Sequence, residues 1–253
     1  MFHSLLLSLG RALARYLSQP HTSIQTGMPT DRAALAQQLQ PGDVLLIEGN
    51  SRVSTVIKYF TQSTWSHAAF FVGPQLGGFN ALGEPYLLIE ADMLDGVCKR
   101  PLSHYYTYPT RICRPIGLSA TDLQQVLMEI TSKLGAQYDL RNVFDLARYF
   151  LPALPVHGLW RRRLLALGSG DPTRAICSSL IAEAFQSVGY PLLPTITVDR
   201  QEDPERHHAV TETIFHIHDR RLFAPRDFDV SPYFEIVKPT LTEDFDFHQI
   251  HWG

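Results

Sequence analysis

Apolar positions along the chain fall into two spacings. Leu5, Leu9, Ala12, Leu13, Tyr16 and Leu17 recur at helical spacing, with Ser4, Ser8, Arg11 and Arg15 on the opposite side. That pattern predicts an amphipathic N-terminal helix. A polar stretch over residues 19–30 with Pro20, Gly27 and Pro29 reads as a linker. Thr30 is placed to cap a short helix running to about Leu39. Pro41-Gly42 marks a turn. Residues 44–47 form an uninterrupted apolar run of buried-strand length. Val53, Val56, Ile57 and Phe60 return to helical spacing behind Ser51, a capping residue. Residues 68–72 read as a strand that stops at Gly73-Pro74. A turn-rich loop leads from there to Pro85. Further strands are predicted over 86–89 and 111–116.

Ser119 and Asp122 have the capping-box spacing. Leu123, Val126, Leu127, Ile130 and Leu134 follow as a helix, with Gly135 placed to stop it. Residues 150–171 are irregular, broken by Pro152, Pro155, Gly158, Gly168 and Gly170. Leu180, Ile181, Ala184, Phe185 and Val188 predict a second clear helix, closed by Gly189 and Pro191. Short strand-like pieces occur at 213–217 and 233–237. Strands and helices are mixed without a regular βαβ beat, which predicts an α+β fold.

Composition narrows the function classes. Of 253 residues, 45% are hydrophobic and 19% charged, enough for a core and too apolar for a disordered chain. The formal net charge of -3 supplies no field for nucleic acid. Three widely spaced cysteines without a CxxC pair exclude a disulfide scaffold and a zinc ribbon. No apolar run reaches the roughly 18 residues of a membrane-spanning helix. The leucine run at the N-terminus has no positive charge before it and no clear cleavage site after it, which argues against a secretory signal. A cytoplasmic or peripheral-membrane location is expected. The amphipathic helix can dock on a membrane surface or on its own domain, and its pattern does not separate the two.

Cys177 precedes the apolar periodicity of the second helix. A thiol there faces unpaired backbone N–H groups and the positive end of the helix dipole. Such cysteines fall to a pKa of roughly 3.5–7.5, and the same N–H groups can hold an oxyanion. A cysteine nucleophile needs a base, and the base an orienting partner. His67 heads an otherwise apolar strand, and Glu90 follows the apolar run 86–89. Each also has a plain structural reading: a small buried hydrophobe, a satisfied histidine, the first solvated residue after a strand.

Other residues carry less. His216 and His218, with His207 and His208 nearby, lack carboxylates at a ligand spacing, so no metal site is expected. Cys98 and Cys113 are expected to be inert packing. Arg161, Arg162 and Arg163 read as a solvated charge run. Tyr105, Tyr106 and Tyr108 suit strand packing or the lining of a cleft.

Pro41-Gly42-Asp43-Val44, Trp65-Ser66-His67-Ala68-Ala69, Ile89-Glu90-Ala91, Gly135-Ala136-Gln137-Tyr138-Asp139 and Ile176-Cys177-Ser178-Ser179-Leu180 occur in that order. Together with Ala224-Pro225-Arg226-Asp227-Phe228 they resemble the circularly permuted branch of the NlpC-type papain-like superfamily, its YiiX-like amidases and peptidases in particular. Lecithin:retinol acyltransferase-like proteins are more distant relatives of that group. The resemblance implies a central, mostly antiparallel sheet with flanking helices. It implies a catalytic domain over 40–253, preceded over 1–39 by the helix, linker and short helix. It implies Cys177 as nucleophile, His67 as base and then acid, and Glu90 as orienter. Tyr138 is implied beside the thiol, where its hydroxyl assists the oxyanion, and Ser178 lines the same site. The implied reaction is cysteine-dependent cleavage of an amide in a small peptide, an acylated amino acid or a cell-wall fragment, without a cofactor. A lipid-directed acyltransferase or thioesterase and a non-catalytic binding module are the alternatives.

Overall fold

The structure, a computed structural model, describes residues 12, 14–20, 29–137, 176–193, 195–202, 209–216 and 223–238. Of residues 176, 195–202 and 209–216 it describes the backbone alone.

β1 (Val44–Ile47) is apolar at every position because both of its faces are covered, and all four residues are buried. It sits within a six-stranded sheet with β2 (His67–Phe71), β3 (Tyr86–Asp92), β4 (Gly96–Pro101), β5 (Thr110–Pro115) and β8 (Phe234–Val237). The order across the sheet is β4-β3-β2-β1-β5-β8, and every neighbouring pair is antiparallel. Side chains alternate across it. On one side Val44, Leu46, Ala68, Phe70, Ile89 and Cys113 pack beneath α3 (Ala120–Ser132), α4 (Ile176–Gln186) and α5 (Pro225–Val230). On the other, Leu45, Ile47, Ala69, Leu88 and Ile112 meet Leu35 and Leu39 of the α1 region (helix Arg32–Gln38), together with Leu102 and Tyr105. β6 (Thr195–Glu202) and β7 (Ala209–His216) form a separate antiparallel pair. The architecture is α+β, as the mixed pattern of elements predicts.

Local chemistry sets the boundaries. Ser51 caps α2 (Arg52–Thr61) by accepting from the Ser54 amide at 3.2 Å, and Ser119 caps α3 by accepting from Asp122 at 3.1 Å. The turn into β1 needs Gly42, whose φ is +98° and where a Cβ would lie 2.8 Å from Leu123 Cδ1. Asp43, next to it, is buried and accepts two bonds from Arg114, at 2.9 and 2.8 Å. Gly96 turns β3 into β4 at φ +69°, against the Ala136 carbonyl.

Several expectations change. Thr30 does not cap α1. Asp31 does, accepting from the Ala34 amide at 2.8 Å, while the Thr30 hydroxyl lies 2.8 Å from that of Thr110. A carboxylate is the stronger acceptor for orphan amides, so the cap moves by one residue. The N-terminal helical segment buries Ala14 and Leu17, whereas Ala12 and Tyr16 of the expected apolar face are exposed. Its contacts run to α2: Arg52 donates to the Tyr16 carbonyl and Gln19 Oε1 and lies 4.3 Å from the Tyr16 ring centroid. Tyr105 lies in a 3₁₀ turn, Leu102–Tyr105, and not in a strand. β4 and β6 are strands that periodicity does not announce. Among the described residues no helix is long and apolar enough to cross a membrane.

Candidate active site

β2 and β3 part company at one end of the sheet. Their ladder runs through Phe70↔Ile89 and Phe71↔Leu88 only. At the His67 end the outward-pointing Ala68 amide is therefore not held by β3. It hydrogen-bonds the sulfur of Cys177 instead. α4 packs across β2 and β3 and delivers Cys177, its second residue, to this opening. His67 is fixed from behind: Ser66 is buried, its amide donates to the Ile47 carbonyl at 3.1 Å, and its hydroxyl accepts from the Gly49 amide at 2.9 Å.

The His67 ring hydrogen-bonds the Cys177 sulfur on one side. Its Nε2 lies 2.9 Å from Glu90 Oε2 on the other, which leaves Nδ1 for the sulfur. Of the two readings of Glu90, partner of His67 or solvated end of a strand, the second does not hold. β3 continues to Asp92, and Glu90 is only 2% exposed. A buried carboxylate is tolerated when its lone pairs are satisfied. Arg100 Nε donates to Oε1 at 2.7 Å, and the Tyr105 hydroxyl donates to Oε2. Arg100 is held in turn by Asp95 at 2.7 Å.

Charge follows this geometry. Burial pushes the Cys177 thiol up, but the His67 charge and hydrogen bond, then the Ala68 amide and the Ser178 hydroxyl, bring it below its ordinary value. Burial pulls His67 down, but Cys177 and then Glu90 outweigh it and hold the imidazole well above its usual range. Glu90 is raised by burial and lowered further by His67 and Arg100, to a net position below the ordinary carboxylate. Both shifts favour the charged forms, so the arrangement favours a thiolate–imidazolium pair backed by a carboxylate. The other two cysteines go the opposite way. Burial and the nearby Glu90 push Cys98 up to about 12, and burial and Asp229 push Cys113 up as well. Cys177 is 4% exposed, while the His67 side chain keeps 25% of its surface open, so the pair is approached from the imidazole side.

No family model matches the chain, and no curated protein matches it. Among solved structures it is similar to the metalloprotein yiiX from Escherichia coli O157:H7. The two share 17% identity and a TM-score of 0.44, over 79% of this chain and 97% of that one.

Of the residues singled out from sequence, His67, Glu90 and Cys177 come together here. Ser178 is fully buried with its Oγ 3.9 Å from the Cys177 sulfur. Tyr138, Arg161, Arg162, Arg163, His207, His208 and His218 lie outside the described residues, and of His216 only the backbone is described. Among the described residues no group of three or more His, Cys, Asp and Glu could hold a metal ion. Arg100 is the part that sequence reasoning missed. Its signal was weak, a basic residue two positions beyond Cys98 in a stretch with no strand pattern. Tyr105 stood in a noticed aromatic run, but its role depends on a hydroxyl aimed at Glu90.

Proposed function

We propose that the chain is a cysteine-dependent hydrolase that cleaves an amide in a small peptide, an acylated amino acid or a cell-wall fragment through an acyl-enzyme. The reading places it on a circularly permuted papain-like catalytic domain over residues 40–253, with residues 1–39 as a preceding helix, linker and short helix. One observation carries it. A buried thiol is drawn towards thiolate by a histidine whose second nitrogen is held by a buried carboxylate. Separate accidents of packing do not generate that order of dependence, because each group is costly to bury without the next.

In this mechanism the Cys177 thiolate attacks the substrate carbonyl carbon. A C–S bond forms and the carbonyl oxygen becomes an oxyanion, held by amides at the start of α4, with Ser178 and Tyr138 as lining groups. The oxyanion collapses and the C–N bond breaks. The His67 imidazolium gives its proton to the departing nitrogen, which leaves as an amine. Neutral His67 then takes a proton from water as the water oxygen attacks the thioester. The carboxylic acid departs and the thiolate–imidazolium pair is restored. Glu90 keeps the imidazole plane and tautomer fixed throughout. No metal or cofactor takes part in these steps.

The test is turnover with a trapped intermediate. The protein is incubated with a panel of N-acyl amino acids and short peptides and followed by mass spectrometry. Amine release, with an acyl adduct on the peptide carrying Cys177, is expected. Both are lost in Cys177→Ala. Turnover that survives this substitution would overturn the reading.

A further inference from the structure

Tyr105 takes no part in the proton transfers of the hydrolase, yet it stands on the same carboxylate oxygen as His67. Glu90 Oε1 accepts from Arg100 Nε at 2.7 Å. Oε2 accepts from His67 Nε2 at 2.9 Å and also from the Tyr105 hydroxyl. A carboxylate oxygen has two lone pairs. Oε2 gives one to the histidine and one to the tyrosine, so the two donors draw on the same negative charge. The hydroxyl is built into this position. Tyr105 ends the 3₁₀ turn Leu102–Tyr105 and is 4% exposed. The turn is pinned by Leu102, buried on the same side of the sheet, and by the Ser103 hydroxyl, which donates to Glu84 Oε2 at 2.8 Å. The Tyr105 ring meets those of His104 and Tyr108 edge-on, with centroids 4.9 and 6.2 Å away, and lies 6.1 Å from that of His67. A phenylalanine would serve this packing as well. A phenol buried here is costly without a partner, and its partner is Glu90.

The other groups around the pair set what loss of that hydroxyl would do. Cys177 faces His67 from α4. On β4, Cys98 lies opposite Glu90 in the ladder, and Arg100 holds Oε1. Asp95 is bound to Arg100, and Asp92 accepts from the Leu94 and Asp95 amides in the turn between β3 and β4. His104 is exposed, and α1 meets this side of the sheet with Leu35 and Leu39. Arg100 on Oε1 and the imidazolium on Oε2 keep Glu90 ionised when one donor is removed. Without the Tyr105 hydroxyl, charge gathers on the oxygen that faces the imidazole, and the imidazolium is held more firmly.

We propose that Tyr105 is a positioning residue that acts on His67 through Glu90: by occupying the oxygen that His67 uses, its hydroxyl limits how far the carboxylate stabilises the imidazolium. The inference rests on the hydrolase reading for its purpose. An imidazolium held too firmly gives up its Nδ1 proton to the departing nitrogen less readily, so the histidine works best when its support is moderated. Tyr105 and Arg100 thus differ in task. Arg100 neutralises the buried charge from Oε1, and Tyr105 divides the charge that reaches His67.

The experiment follows the His67 titration itself, so it stands or falls independently of turnover. Full-length Cys177→Ala protein is labelled with ¹³C-histidine, which removes the coupled thiol and leaves the imidazole to titrate against Glu90. The His67 signal is assigned by its loss in His67→Asn, and melting temperatures confirm that each variant folds. Adding Tyr105→Phe is expected to raise the His67 midpoint by about half a pH unit. That is a fraction of the roughly one to two units that a hydrogen bond to a charged group represents. Glu90→Gln is expected to lower the midpoint, and Tyr105→Phe added to Glu90→Gln to leave it where Glu90→Gln put it. A midpoint that stays or falls in Tyr105→Phe would overturn the assignment, since a residue that only packs, or only steadies the carboxylate, gives that result. An equal rise in the Glu90→Gln background would overturn it too, because the tyrosine would then act on His67 directly.

Discussion

Glu90 is a negative charge that the protein keeps out of water, and the cost is offset only while His67, Arg100 and Tyr105 all face it. Its influence reaches Cys177 through His67. The thiolate–imidazolium pair exists between two limits: it forms as pH rises through the lowered value of Cys177 and is lost as pH rises through the raised value of His67. Turnover should therefore follow a bell whose limbs belong to the pair as a whole, while alkylation of Cys177, which needs the thiolate alone, should rise through the acid limb and stay high. Glu90→Gln removes one support of the imidazolium, while burial continues to pull it down. The alkaline limb is expected to move to lower pH. The acid limb is expected to move up, because a weaker imidazolium also holds the thiolate less firmly. A roughly 10- to 100-fold fall in kcat should accompany the narrowing. A pH series of iodoacetamide labelling rates reads the acid limb without a substrate and a pH series of kcat reads the alkaline one, and limbs that keep their positions would exclude Glu90 as the orienting group. The identities of His67, Glu90 and Cys177 were legible from sequence because each abuts a strongly periodic element. Arg100 was not, because the residue that neutralises a buried carboxylate is defined by register across two strands, Leu88↔Arg100 and Glu90↔Cys98.

The same contrast holds among elements. β1, α2, α3 and α4 were readable because a single apolar face or a four-residue apolar run is a local property. β4 was not, since Gly96-Val97-Cys98-Lys99-Arg100 mixes charge with apolar residues at the sheet edge and gains its strand only from pairing with β3. The turn into β1 is a third kind of case. Pro41-Gly42 marks it in sequence, but the Arg114 that clamps it arrives from β5. Asp43 is 1% exposed, so Arg114→Ala would leave its charge buried without its cation, which costs about 3 kcal/mol. Asp43→Ala removes the charge itself, and the double variant is expected to be less destabilised than the sum of the singles. Urea unfolding of the four proteins measures the coupling. Additive losses would show that the pair holds nothing together beyond its two side chains.

For the molecule as a whole, the site is a product of long-range assembly. His67 and Cys177 are 110 positions apart, and their meeting requires α4 to lie across β2 and β3 where those strands diverge. Nothing local to either residue perturbs it enough to survive loss of the sheet. Unfolding should therefore invert the order of thiol reactivity. With labelling at pH 6, Cys177 of the native protein is the thiol drawn towards thiolate, while Cys98 and Cys113 are suppressed by burial and neighbouring carboxylates. In the unfolded chain all three return to an ordinary thiol near pKa 8.5, of which only about 0.3% is thiolate at that pH. Cys177 must then slow as Cys98 and Cys113 quicken. Mass-spectrometric labelling across a urea series, read beside far-UV circular dichroism, should show the three curves crossing at the midpoint of sheet loss. If Cys177 slowed well before the dichroism changed, α4 would be detaching from an intact sheet. The pair would then owe its charge state to the docking of one helix, not to the cooperative unit of sheet and helices.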